Sequence, residues 1–467
     1  MKKFLAAAAI LSLVSTAYAA DAPSLTAAQK KTVDKIISYA LDDDAAYEML
    51  ESLTTEVGPR LPGSEAEARG REWGAAKFKS LGLKNVRVET YPMPAWSRIS
   101  EGAAIVSPFP QPLKVTALGK SVATPEGGVA AEVVRFATLD DLKRAPEGSL
   151  NGKIVFVDER LMRTQDGSGY GFVVANRSAA AVEGAKRGAI AALIRSVGTD
   201  SNRRNPHTGA MGYKDDVPKI PIGALSNPDA DQLTRALAHA KGAVTVNLDL
   251  QTAVNENAVT GNVIGEIKGK SDCVILVGGH LDSWDLGTGA IDDGAGIAIT
   301  TGAARILKRA IGKPQCTIRV VMWGAEEVGS YGGKGYAEDY KDELANHRLA
   351  AESDFGAGRV WRVGTNFTGA SAEKAALFNE ALRPLGVEPR KGAVFGGADI
   401  EPVIALGVPT LDLYQDGTDY FDLHHTPDDT FDKVDPADLK QNVAAWAVML
   451  YVASELAGDL GRAPQAE

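Results

Sequence analysis

Two side chains spaced two apart in an extended segment point to the same side of the backbone. His280 and Asp282 stand at that spacing in GGHLDSWDLGTGAIDDGAG, just after the apolar run CVILV. One imidazole nitrogen can then bind a metal while the carboxylate of Asp282 holds the other. Asp292 and Asp293 follow twelve residues on, at a predicted helix start, where adjacent carboxylates need a cation to offset their repulsion. WGAEEVGS follows a second apolar run, TIRVVM. Adjacent glutamates in a turn diverge, so Glu327 can coordinate a metal while Glu326 acts as general base. A lone His reads as a core residue and a lone Glu-Glu as a solvated pair; their shared place behind apolar strands favours chemistry. Asp354 in AESDFGAG and His424-His425 in FDLHHTPDDT complete the set. Neighbouring histidines rarely serve one ion, and His425 is preferred because it abuts the turn fixed by proline. His207, His239 and His347 lack such company and read as surface or structural.

Five candidate ligands (His280, Asp292, Glu327, Asp354 and His425) suit two borderline cations better than one. Two zinc ions roughly 3.5 to 4 Å apart can share a bridging carboxylate and an activated water. Asp292 is the natural bridge. Oxygen-only magnesium or calcium sites would not need the imidazoles.

The elements must bring together residues spread from 280 to 425. All the candidates fall just after predicted strands, and open α/β sheets bind ligands at the carboxyl ends of their strands. From 255 onward strands and helices alternate: NAVTGNVIGEI, CVILVGG, a helix opening at Asp293, TIRVVMW, a helix around Tyr336, RLAAES, a helix Ala372 to Leu385, PTLDLY and a helix Pro436 to Ala457. That alternation predicts an α/β fold, a mostly parallel mixed sheet with helices on both faces. Residues 20–99 read as helical with one strand, KNVRVETY, and Ser64 with Glu67 predicts a capping box. Residues 100–254 change texture to short β-branched runs broken by Gly, Pro and Asn, the pattern of an inserted β-rich domain.

Composition narrows the partners. A chain of 467 residues with 45% apolar content is too long for one core, so two or more domains are expected. A formal charge of -10 with no basic run argues against nucleic acid and membrane surfaces. Lys2 and Lys3, the apolar run Phe4 to Val14 and Ala17-Tyr18-Ala19 read as an export signal over 1–19, so a periplasmic or secreted location is expected. Val443 to Ala453 is too short to span a bilayer and reads as a buried terminal helix. Cys273 and Cys316 each open a strand-like run and either bridge or stay buried. With no G-x-S-x-G, and GKS triplets lacking the first glycine of a P-loop, serine and nucleotide hydrolysis have no support.

The order H-x-D, D-D-G, E-E, S-D, H-T-P-x-D resembles the zinc exopeptidases of peptidase clan MH. It is most similar to the carboxypeptidase Q branch, through GHLDSWD and IDDG. GPRLPGS at Gly58 to Ser64 fits the same family, and NGKIVFVD with Ala181 to Ser196 resembles a protease-associated domain inserted into the peptidase domain of 255–467. The resemblance implies two zinc ions per chain, one on His280 and Asp354 and one on Glu327 and His425, with Asp292 bridging. It implies Glu326 as the proton shuttle, Asp282 as the orienter of His280, and a cis peptide after Asp292. Tyr420 as an oxyanion donor and Asp399, in FGGAD, as a pocket residue are the substrate-side expectations. The implied activity is that of an aminopeptidase or dipeptidase on short peptides, with a homodimer fitting the branch. The alternatives are a non-catalytic scaffold and a single-zinc glutaminyl cyclase.

Overall fold

The computed structural model describes residues 23–462, and the expected export signal lies outside them. Two long strands dominate the chain. β1 (Lys84–Ser107) is followed by short β2 (Gln111–Leu113) and β3 (Val115–Ala117), then β4 (Val129–Phe136), β5 (Ile154–Val157), β6 (Ala191–Arg195) and β7 (Ile222–Leu225). The second long strand, β8 (Thr245–Ile267), leads to β9 (Val274–His280), β10 (Thr317–Trp323) and β11 (His347–Glu352). All of these form one sheet in the order β11-β9-β10-β8-β4-β5-β6-β7-β3, with β1 paired along β8 and β2 paired to β1. β12 (Val360–Thr365), β13 (Glu388–Pro389) and β14 (Leu411–Gln415) make a small sheet. Thr410, just ahead of β14, bridges to Ala350 of β11.

The strands β9, β10 and β11 run parallel to one another, as do β4 to β7. The β1/β8 ribbon joins the two groups in antiparallel register. Its sequence explains the double role. TVNLDL at the start of β8 alternates, burying Val246, Leu248 and Leu250 on one face only, whereas VIGEI at its end is buried on both faces. Between these halves Glu256 and its neighbours are exposed, and Arg98 pairs with Thr252 and Trp96 with Val254. The boundaries expected at 99/100 and 254/255 thus lie nearly opposite each other in the ribbon.

Alternation along β10 assigns the layers. Ile318, Val320 and Met322 pack into the large core under the helices Ala27–Leu41, Ala295–Ile311 and Pro436–Tyr451. Val321 and Trp323 face the opposite layer, against Tyr336 of the helix Tyr331–Asp339 and Val403 of Glu401–Ala405. The terminal helix is buried, as expected, and no helix among the described residues is long and apolar enough to cross a membrane. The expected helix Ala372 to Leu385 is helical throughout, α-helical over Ala375–Leu382 and tightened to 3-10 geometry at each end, with Pro384 in the second 3-10 turn.

Two local expectations differ in detail. Ser64 caps the helix Glu65–Ser80 by accepting the Glu67 N–H, but the Glu67 carboxylate reaches past the cap to the Gly63 N–H at 2.7 Å. Glu67 is fully buried, and the Thr260 hydroxyl and Arg71 draw it there, so no reciprocal box forms. Cys273 and Cys316 form a disulfide across the start of the parallel pair β9/β10, where Val274 lies opposite Thr317.

Candidate metal centre

Register brings the site together. Trp323 pairs with His280, and Glu352 pairs with Gly278, so the carboxyl ends of β9, β10 and β11 lie side by side. His280 ends β9, Glu326 and Glu327 sit in the turn after β10, and Asp354 follows β11 by two residues. Asp292 and Asp293 lie at the mouth of the helix Ala295–Ile311, joined by a cis peptide. His424 and His425 follow the short helix Tyr420–Leu423, and a left-handed φ of 64° at His425 turns both rings toward Asp292.

Asp292 is the centre of the geometry. Its Oδ1 is 3.0 Å from His280 Nε2, and its Oδ2 is 3.1 Å from His425 Nε2. His280 Nε2 also lies 3.5 Å from Asp354, and His425 Nε2 lies 3.0 Å from Glu327. Ligands of one zinc, each about 2.0–2.2 Å from the ion, stand at such mutual distances. His424 Nε2 is 3.5 Å from Asp292 and its ring stacks on His425, so the neighbour set aside from the sequence also faces the cluster; His425 alone of the two contacts Glu327. The donor atoms of His280, Asp292 and Asp354 form one close group, and those of Asp292, His424 and His425 another.

Surrounding groups hold these side chains. Asp282 accepts the N–H of Glu326 at 3.0 Å and of Glu327 at 3.2 Å, which fixes the glutamate turn. The His280 Nδ1 rests on the main-chain carbonyl of Asp282 at 2.9 Å, with the carboxylate 3.8 Å away. Asp282 therefore serves two loops, through carbonyl and carboxylate. Asp293 accepts the N–H of His280 and of Gly296, and a side chain at Gly279 would strike its carboxylate. Asp429, the last residue of the H-T-P-x-D run, accepts the N–H of Ile291 and of Asp292.

Negative charge is crowded. Burial pushes the Glu326 carboxyl well above its ordinary range, and the charges of Asp354 and Glu327 add to this against the pull of His280. Burial and the Asp292 charge raise Asp429 to about 7. Asp292 itself stays well below the ordinary range, because hydrogen bonds from His280 and His425 outweigh its burial. His425 is buried too, yet Glu327 and Asp292 raise it to about 9. Glu327 Oε1 has no hydrogen-bond partner. Carboxylates pressed together, an orphaned oxygen and imidazoles facing inward fit a bound cation.

Residues that carry no local mark in the sequence support the site from behind or line it. Trp284, inside the GHLDSWD run, donates its indole N–H to Glu327. Arg60, inside GPRLPGS, is fully buried and donates to the carbonyls of Gly58, Leu281, Thr288 and Gly289, tying together the loops that carry His280 and Asp292. His207 is buried, with Nδ1 2.8 Å from the His424 carbonyl. Tyr170 and Arg177, from the middle of the chain, line the site cavity of about 270 Å³ with Asp292, Glu326, Asp354 and Tyr420. Nothing in the local sequence of Arg177 marks it. Asp399 is fully buried and lines no part of this cavity; its N–H donates to Glu352 at 3.0 Å and its carboxylate has no hydrogen-bond partner.

A sheet presenting His, Asp and Glu donors at its strand ends, with a free glutamate beside them, defines a metal-dependent hydrolase of the α/β class. The profile of Peptidase family M28 matches residues 262–450. Carboxypeptidase Q of Mus musculus is 35% identical over 433 residues, covering 91% of this chain and 89% of that protein. The crystal structure of a peptidase M28 precursor from Shewanella amazonensis SB2B superposes with a TM-score of 0.90 at 45% identity, covering 94% of this chain and 99% of that one. A zinc aminopeptidase from Bacillus subtilis shares the fold at 20% identity and a TM-score of 0.63, covering 90% and 97%. The chain belongs to peptidase family M28.

Proposed function

We propose that the protein is an exported exopeptidase that splits dipeptides or releases N-terminal residues, using two zinc ions and Glu326 as general base. Membership of family M28, with carboxypeptidase Q relatives over nine tenths of the chain, makes it a zinc-dependent exopeptidase. The finer reading is supported chiefly by one observation: the two oxygens of Asp292 each face a different imidazole, which is the arrangement a bridging carboxylate needs. His280 and Asp354 would hold one ion, Glu327 and His425 the other. Zinc bound there would lower the pKa of a water molecule and polarise the scissile carbonyl.

The chain's own residues supply the rest. Glu326 is buried with its proton affinity raised, and its main chain is pinned by Asp282. It takes a proton from the attacking water and returns it to the leaving amine, so that oxygen adds to the carbonyl carbon as the C–N bond breaks. Burial, with the charges of Asp292 and Asp354, keeps the Tyr420 phenol protonated, and its hydroxyl is a donor for the developing oxyanion. Residues 100–254 act as an inserted protease-associated domain, a reading supported by an apolar cluster around Ile154, Phe156 and Leu193 that draws mostly on those residues, joined by Trp96 and Trp284 from outside them. The Cys273–Cys316 disulfide supports an oxidising compartment.

The test is release of amino acids from dipeptides, N-blocked peptides and C-blocked peptides, with and without a chelator. The expected result is cleavage of substrates with a free amino terminus, abolished by the chelator and restored by zinc. Turnover insensitive to the chelator would contradict the proposal.

A further inference from the structure

Four of the five proposed ligands hang from the main sheet or from the helix behind it. His280 ends β9, Asp354 follows β11 by two residues, Glu327 is pinned through its N–H by Asp282, and Asp292 stands at the mouth of the helix Ala295–Ile311. His425 departs from this pattern. It follows the short helix Tyr420–Leu423 in a loop, and its φ of 64° is one that residues other than glycine rarely adopt. Such a conformation persists only where its surroundings hold it. Among the described residues, every hydrogen bond that the main chain of 417–425 makes beyond its own loop goes to residues 163–208, from the middle of the chain. Thr199 donates its N–H to the Phe421 carbonyl at 2.9 Å, the His207 Nδ1 meets the His424 carbonyl at 2.8 Å, and Thr208 donates its N–H to the His425 carbonyl at 3.1 Å.

The same segment sets the ring of His425. Its Nε2 faces Asp292 at 3.1 Å and Glu327 at 3.0 Å, and its Nδ1 lies 3.2 Å from the Thr208 carbonyl. An imidazole that donates a hydrogen from Nδ1 to a carbonyl leaves its Nε2 lone pair for a cation. The Arg177 Nη2, 3.3 Å from the same Nδ1, is a donor and cannot accept that hydrogen. Thr208 therefore clasps His425 at two points, main chain and ring. Both residues of the clasp are locked in turn. Thr208 is fully buried, and its hydroxyl donates to the Ala117 carbonyl at 2.9 Å and accepts from Arg98 at 3.3 Å. His207 is buried as well; its N–H donates to the Ser196 hydroxyl at 2.8 Å, and a carbon added at Gly198 would fall 2.1 Å from its ring. Glycine at 198 keeps that seat open.

We propose that His207 and Thr208 are positioning residues for His425: they hold its backbone and its ring, and so set how tightly the ion shared by His425 and Glu327 is bound, more than they affect the ion on His280 and Asp354. This deepens the two-zinc reading and rests on it. The test is titration of the metal-free full chain with zinc against a chromophoric chelator, for the wild type, His425→Ala, His207→Phe and His207→Asn. The wild type is expected to bind in two steps, and the step missing in H425A identifies the ion held by His425 and Glu327. In H207F, which fills the ring space without the donor, that step should weaken by about 10- to 100-fold, the usual loss when a group behind a metal ligand is removed, while the other step holds. H207N, whose amide can donate from the position of Nδ1, should recover part of it. A merely structural role would lower stability in urea and leave the two steps alone or shift them together. Unchanged steps in H207F, or equal weakening of both, would overturn the proposal. If the wild type binds a single ion, the two-zinc reading fails by itself; the comparison then runs on that ion, and its survival in H425A overturns the proposal. A wild type that binds no zinc overturns both. Should H207F not fold, Gly198→Ala, which pushes the His207 ring aside without removing it, carries the same comparison.

Discussion

Glu326 and Glu327 are adjacent in sequence but different in circumstance. Glu327 touches His425 and the Trp284 indole, while Glu326 is fixed only through its main chain, leaving its carboxylate free for proton transfer. Glu326→Gln should therefore keep its metal and lose about 10²- to 10⁴-fold in kcat, the usual contribution of a general base. Steady-state kinetics beside metal analysis checks this, and a loss below tenfold would assign the base elsewhere. A second residue titrates for structural reasons. His347 is buried, with Nδ1 on the Glu343 carbonyl and Nε2 at 2.7 Å from the Tyr336 hydroxyl, which itself accepts from Arg319. Burial lowers His347 from 6.5 to about 4. Between those values the unfolded chain binds the extra proton, so stability rises with pH through the window and is lost as pH falls from 6.5 toward 4. The full effect is on the order of 3 kcal/mol. Urea unfolding at several pH values should show a shallower acid slope for His347→Asn, and an equal slope would exclude this histidine as the source. At this scale the candidate site residues were legible because His, Asp and Glu cluster behind apolar runs. Arg60 and Arg177 were not, since a single arginine carries no signal of burial until its neighbours in space are known.

The elements explain why separated residues converge. Parallel register sets the ends of β9, β10 and β11 level, a placement that follows from strand and helix alternation. The disulfide lies at the opposite ends of the same strands, seven residues or about 23 Å from the site at a strand rise near 3.3 Å. It closes a loop with a sequence separation of 43, and such a crosslink is worth about 4 kcal/mol in a chain-entropy estimate. Cys273→Ala with Cys316→Ala should lower stability in urea by about that amount while kcat stays within twofold; a fall in kcat with unchanged stability would contradict the assignment. Strand positions were readable from β-branched runs, but the length of β1 and β8 was not. The middle of β8 is exposed and the middle of β1 carries Pro92 and Pro94, so neither stretch marks itself in sequence as the interior of a long strand.

The whole molecule is two groups of strands joined through the β1/β8 ribbon, and the middle of the chain reaches back into the site. His207 meets the His424 carbonyl, Thr208 meets His425, and Tyr170 and Arg177 wall the cavity. Composition pointed to a separate β-rich segment in 100–254 without showing that it contributes to the site, because that contact depends on how the ribbon folds back. The proposed chemistry depends on five side chains holding a pair of ions around Asp292. Metal analysis of the purified chain and of Asp292→Ala tests it most directly: two zinc ions per chain are expected, with at most one retained in the variant and dipeptide cleavage abolished. One ion or none in a fully active wild type, or two retained in Asp292→Ala, would contradict it.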